Sequence, residues 1–97
     1  MKAYKGFNAD LTCRGFQFAE GGTYEEAEAV VCESGFHAVL EPLDVLSYYP
    51  VHAGSTYRVV EVDEDAQRHN RDSKVASRRI TIGAEVGLLG LVKAHME

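Results

Sequence analysis

Gly6, Gly15, Gly21, Gly22 and Gly35 cut the first 35 residues into short apolar pieces. Glycine at this spacing marks tight turns between small strands rather than a sustained helical rhythm. The N-terminal half therefore reads as β-rich. Lys2 to Phe7 is expected as a first strand and Phe16-Gln17-Phe18 as a second with period-two alternation. Glu28 to Cys32 follows as a third, after an acidic turn beyond Tyr24, and Phe36 to Val39 as a further extended piece.

Pro42 opens a helix, since the missing N–H of proline would have no partner in a first turn anyway, and Pro50 sets its limit. Val45, Leu46 and Tyr49 share one face of it. Thr56 to Val62, rich in β-branched residues, is the clearest strand and is expected to be central. Asp63 to Lys74 has one alanine as its sole apolar side chain and reads as a solvated, mobile loop outside the core. Ile80 and Ile82 form a last strand that Gly83 breaks, and Leu88, Leu91, Val92 and His95 recur on one face of a C-terminal helix. Glu85 near the start of that helix and Lys93 near its end would suit its dipole. The whole, residues 1–97, is expected as a single α+β domain: a small, mostly antiparallel sheet with two short helices.

Between Arg14 and Arg58 the chain has no lysine or arginine but carries Glu20, Glu25, Glu26, Glu28, Glu33, Glu41 and Asp44. Such a one-sign segment repels nucleic acid and attracts basic surfaces. The composition is otherwise that of a folded domain, with 45% hydrophobic residues and a net charge of −5. No run of about 18 apolar residues exists for a membrane span, and the N-terminus turns polar before a signal sequence could form. With two cysteines, Cys13 and Cys32, both thiols are expected to be reduced and the protein cytoplasmic.

Five blocks carry a resemblance. They are Met1 to Asn8, Gly35-Phe36-His37-Ala38, Pro42 to Pro50, Lys74-Val75-Ala76-Ser77 and Gly90 to His95. Together they resemble an uncharacterised domain family of short bacterial and phage proteins, over nearly the whole chain. Longer members continue past the Lys-Ala-His block into a repetitive tail, where this chain stops at Glu97. The resemblance brings no catalytic residue. Phage carriage implies a host-directed role, and a small acidic phage protein is similar to the anti-CRISPR inhibitors, several of which present acidic surfaces to nucleic-acid-binding effectors.

Few constellations carry chemistry. Cys13, Cys32 and His37 are zinc-type ligands without the paired spacing of a structural site, so no metal and no cofactor is expected. Cys32 and His37 pair a nucleophile with a base across a glycine turn, a spacing that argues weakly for catalysis. The sequence of Tyr4-Lys5-Gly6, Gly35 to Ala38, a helix with Asp44 and Tyr48, and a valine-rich strand ending at Glu61 resembles ADP-ribosyltransferase cores. That alternative needs a pocket holding Glu61, Tyr4 and His37, and it lacks a Ser-Thr-Ser block, a GxGxxG and a P-loop. Arg68, Arg71, Lys74, Arg78 and Arg79 are interspersed with acids, which argues against direct nucleic-acid binding.

The expected function is accordingly non-enzymatic: an anti-CRISPR-like inhibitor that docks an acidic, DNA-mimicking face on a basic, nucleic-acid-binding host protein. Glu20, Glu25, Glu26, Glu28, Glu33, Glu41 and Asp44 would form that face, with Tyr48 as an exposed aromatic anchor and Tyr49 turned to the core. The alternative is an ADP-ribosyltransferase-like or NAD- and nucleotide-binding domain.

Overall fold

The computed structural model describes residues 1–30, 34–69 and 72–97. Its axis is β1 (Lys2–Phe7), buried at every position after Lys2. Alternation along an extended strand sends Ala3 and Phe7 to one side and Tyr4 to the other. Ala3 and Phe7 pack with Val60, Val62, Val75, Ile80 and Ile82 in the larger core. Tyr4 joins Val39, Val45, Tyr57 and Leu91 in a second. A strand flanked by two apolar clusters must be internal.

Around it lie β2 (Thr12–Cys13), β3 (Phe16–Gln17), β4 (Thr23–Glu25), β5 (Phe36–Val39), β6 (Thr56–Val62), β7 (Gln67–Arg68), β8 (Lys74–Ser77) and β9 (Arg79–Val86). Among the described residues the main sheet runs β4-β9-β6-β1-β5-β8-β7, and β2 and β3 form a separate hairpin. Every registered pair is antiparallel. The helical parts are 3-10 turns at Pro42–Ser47 and Val51–Ala53 and one α-helix, α1 (Leu88–His95). The architecture is α+β and mostly sheet, with a single α-helix among the described residues where two helices are expected.

The order of strands forces the sheet to roll. Arg78 alone separates β8 from β9, so Ser77 and Arg79 lie within about 7 Å. Across a flat sheet, four strand spacings of about 4.8 Å would divide them. The flanks therefore meet, and Ser77 makes the corner. Fully buried, its Oγ accepts the N–H groups of Asp63 (3.0 Å) and Arg79 (3.3 Å) and donates to the Arg79 carbonyl (2.7 Å).

Several expected elements are corrected. The strand placed at Glu28 to Cys32 lies earlier, at β4, where Thr23, Tyr24 and Glu25 pair with Thr81, Ile80 and Arg79. Residues 28–30 contribute an isolated bridge from Val30 to Ser34, and Cys32 and Glu33 fall outside the described residues. The stretch after Asp63 is not wholly loop: Ala66 is buried and β7 pairs with β8. Gly83 does not break β9. It sits opposite the bulge between Arg58 and Val60, where a Cβ would come within 2.7 Å of the Val59 carbonyl oxygen. In α1 the expected apolar stripe is only partly buried: Leu91 is fully buried with Ala94 beside it, whereas Leu88, Val92 and His95 are exposed. Glu85 belongs to β9 and lies opposite Arg58.

Candidate functional site

β1 and β5 are neighbours, yet their ladder registers only at Tyr4 and Val39. Towards Phe7 and Phe36 the strands part, and a cleft of about 580 Å³ opens, lined by Lys5 and Gly6 on one side and His37 and Ala38 on the other. The β2–β3 hairpin adds Cys13, Arg14 and Phe16, the end of the Pro42–Ser47 turn adds Tyr48 and Tyr49, and the start of β8 adds Lys74. This volume is in the range of roughly 300–1,000 Å³ typical of small-molecule sites.

Lys5 stands where the ladder ends. Only 6% exposed, it donates from Nζ to the His37 carbonyl at 2.7 Å, so a side-chain amine bridges the two strands. Burial pushes its pKa down; nearby Arg14 and Lys74 add to that fall and Cys13 opposes it. The same cations act on His37. Burial first, then Lys74, Lys5 and Arg14, lower the imidazole pKa to about 4, so it is neutral at physiological pH. Cys13 Sγ lies 2.6 Å from the Tyr49 hydroxyl, and burial with this contact holds the phenol protonated well above its ordinary range. Gly6 provides the space for that ring: a Cβ there would fall 2.5 Å from Tyr49.

Arg14 is held over the cleft by a strained backbone. Arg14 (φ 53°) and Gly15 (φ 81°) are the two residues linking β2 to β3, both left-handed, as a tight two-residue hairpin requires. Glycine takes that conformation freely, whereas a non-glycine residue there costs about 1–3 kcal/mol, and strain of this kind concentrates at functional sites. Beside it Phe16 is 46% exposed and packs edge-on to Tyr24 and Phe36, so the mouth is aromatic as well as cationic. Lys74 Nζ lies over the Tyr48 ring at 4.5 Å.

The acidic residues are distributed differently. Glu20 pairs with Arg58 at 2.7 Å and Glu25 with Arg79, both on the β4–β9–β6 flank. Asp44 is spent on structure, its Oδ2 accepting the Ser73 hydroxyl at 2.7 Å and the Ser73 N–H at 3.3 Å. Glu41 lies 3.9 Å from His95 on α1. Glu26 accepts the Gly35 N–H at 3.1 Å and lines the cleft, and Glu28 is exposed. Tyr48 is exposed as expected and its hydroxyl donates to Asp72, while Tyr49 packs against both cores.

Of the residues named for the nucleotide alternative, Tyr4 and His37 line the cleft, whereas Glu61 does not. The Glu61 carboxylate instead accepts the N-terminal ammonium group at 3.1 Å. Among the described residues no three His, Cys, Asp or Glu side chains converge as a metal set. No helix among them is long and apolar enough to cross a membrane. Arg14 carried no sequence expectation; the available sign was a cation before a glycine, repeated at Lys5-Gly6 and Arg14-Gly15 in otherwise apolar surroundings.

DUF7666, a domain of unknown function, matches residues 1–94. The chain belongs to this family. The match takes in β1, every residue that lines the cleft and all but the end of α1. No curated protein and no solved structure matches the chain.

Proposed function

We propose that this DUF7666 domain is a binding module whose cleft takes a small anionic ligand with a flat ring, of the nucleotide class. What carries this reading is the convergence of Arg14 and Lys74, above the buried amine of Lys5, on one aromatic-walled cleft in a chain of net charge −5. Cations on flexible or exposed stems recognise phosphate or carboxylate, and aromatic faces accept a ring. A neutral His37 completes the wall as a hydrogen-bonding group without added charge.

The test is a titration of the full chain with NAD, ADP-ribose and AMP at low salt, followed by thermal shift and backbone amide resonances. Binding should raise the melting temperature and move the amides of Arg14, Gly35 and His37. Arg14→Asn suits the hairpin geometry and should keep the fold while weakening binding roughly 10- to 150-fold, the loss expected for a charge-assisted hydrogen bond of about 1.5–3 kcal/mol. Unmoved amides across all three ligands would rule the reading out.

A second reading is the acidic, anti-CRISPR-like inhibitor of a basic, nucleic-acid-binding host protein. The exposed Glu26 and Glu28 favour it, whereas the pairing of Glu20 and Glu25 with arginines of the same chain reduces the field it needs.

A further inference from the structure

Lys5 is an unusual occupant of a central strand. Its neighbours in β1 are buried, its own amine is sequestered, and it forms part of the floor of a cleft that opens to solvent. A buried lysine that merely spans a gap in a sheet has no need of such access. Cys13 lies beside it, with its Sγ 2.6 Å from the Tyr49 hydroxyl, and the cations Arg14 and Lys74 line the same cleft. Lysines with lowered basicity are the ones that act as amine nucleophiles at neutral pH.

We propose that Lys5 captures the carbonyl group of an anionic, ring-bearing aldehyde or ketone as a reversible imine, with Arg14 and Lys74 holding the anionic group. The proposal rests on the anion-binding reading of the cleft and adds a covalent step. The Nζ lone pair forms a C–N bond to the carbonyl carbon while the C=O π pair moves to oxygen. A proton passes from nitrogen to that oxygen, giving a carbinolamine. The C–O bond then breaks, the remaining N–H proton leaves with the hydroxyl as water, and the nitrogen pair closes the C=N bond. Amine and carbonyl become imine and water, with no oxidant or reductant. Cys13, which interacts with the Lys5 amine and whose Sγ is 2.6 Å from the Tyr49 hydroxyl, would pass the proton.

Burial and neighbouring positive charge favour the neutral amine that the step requires, whereas exposed lysines near pKa 10.4 stay protonated at pH 7. Pyridoxal 5′-phosphate, a phosphorylated aromatic aldehyde, is the probe. The full chain is incubated with it at pH 7, reduced with borohydride and mapped by peptide mass. The expected result is an adduct concentrated on Lys5, at several times the level on Lys2, Lys74 or Lys93, and its loss in Lys5→Met. Should that variant fail to fold, the wild-type protein still decides. Pyridoxamine 5′-phosphate, which has the same ring and phosphate but no aldehyde, should protect Lys5 from labelling.

Adducts confined to Lys2, Lys74 and Lys93, or none, would overturn the imine proposal. If the amine analogue nevertheless moves the cleft amides, the anion-binding reading survives without the covalent step. If it moves none and labels are random, both fall.

Discussion

His37 owes its acidity to where the chain puts it. Flanked in sequence by Phe36 and Ala38, it is half-buried at the parting of β1 and β5, and that burial, followed by the nearby Lys74, Lys5 and Arg14, lowers its pKa to about 4. The sign of its effect on stability follows from that depression. Between the ordinary value near 6.5 and about 4, the unfolded chain binds the proton more readily than the folded one, so stability is full above pH 6.5 and is lost as pH falls towards 4. Allowing for solvent screening at a half-exposed site, the loss is on the order of 1 kcal/mol. Urea midpoints measured from pH 7 to 4 should fall accordingly, and His37→Gln should remove this part of the decline. An imidazole that titrates near its ordinary pKa by NMR would contradict the placement. Lys5 illustrates the complementary point: its identity is plain in the sequence, but nothing around it there distinguishes a sequestered amine from a surface one.

At the scale of elements, β1, β5 and β6 were legible because each has a local signature. β-branched residues fill Thr56 to Val62, and apolar residues run through Lys2 to Phe7 and Phe36 to Val39, with boundaries that match the structure. β4 was not, since Thr23-Tyr24-Glu25 carries two polar residues and is a strand only because β9 supplies a ladder. The α1 stripe was legible at Leu91 but not at Leu88 and Val92, because all three have the same side-chain character; contact with the Pro42–Ser47 turn and β9 decides which of them is buried. Gly6 connects element to site. Gly6→Ala would place a Cβ 2.5 Å from the Tyr49 ring, so the ring must move, at a cost of about 1–3 kcal/mol typical of overpacking. The displaced phenol would leave Cys13, and the thiol should react faster with a maleimide in native protein. An unchanged denaturation midpoint together with an unchanged thiol rate would show that Tyr49 does not rest on Gly6.

Over the whole molecule the decisive event is the rolling of the sheet at Ser77–Arg79. On the flank it closes, pairing of β4 with β9 and of β9 with β6 brings second-half arginines to first-half acids, Arg58 to Glu20 and Arg79 to Glu25, so a span with no positive charge in sequence acquires partners in space. If acidic docking on a basic protein is nonetheless the function, Glu26→Lys with Glu28→Lys should abolish capture of a basic partner at low salt, and raised salt should do the same to the unaltered chain. Capture that survives both treatments would exclude electrostatic docking. The sequence by itself determined the β-rich first half, the Thr56–Val62 and Phe36–Val39 strands, the C-terminal helix and the acidic balance, because each depends on residues close together along the chain. The tertiary structure alone decided that Lys5, Arg14, His37 and Lys74 share one cleft, since residues so far apart meet only when β1 parts from β5 and the β2–β3 hairpin folds over the gap.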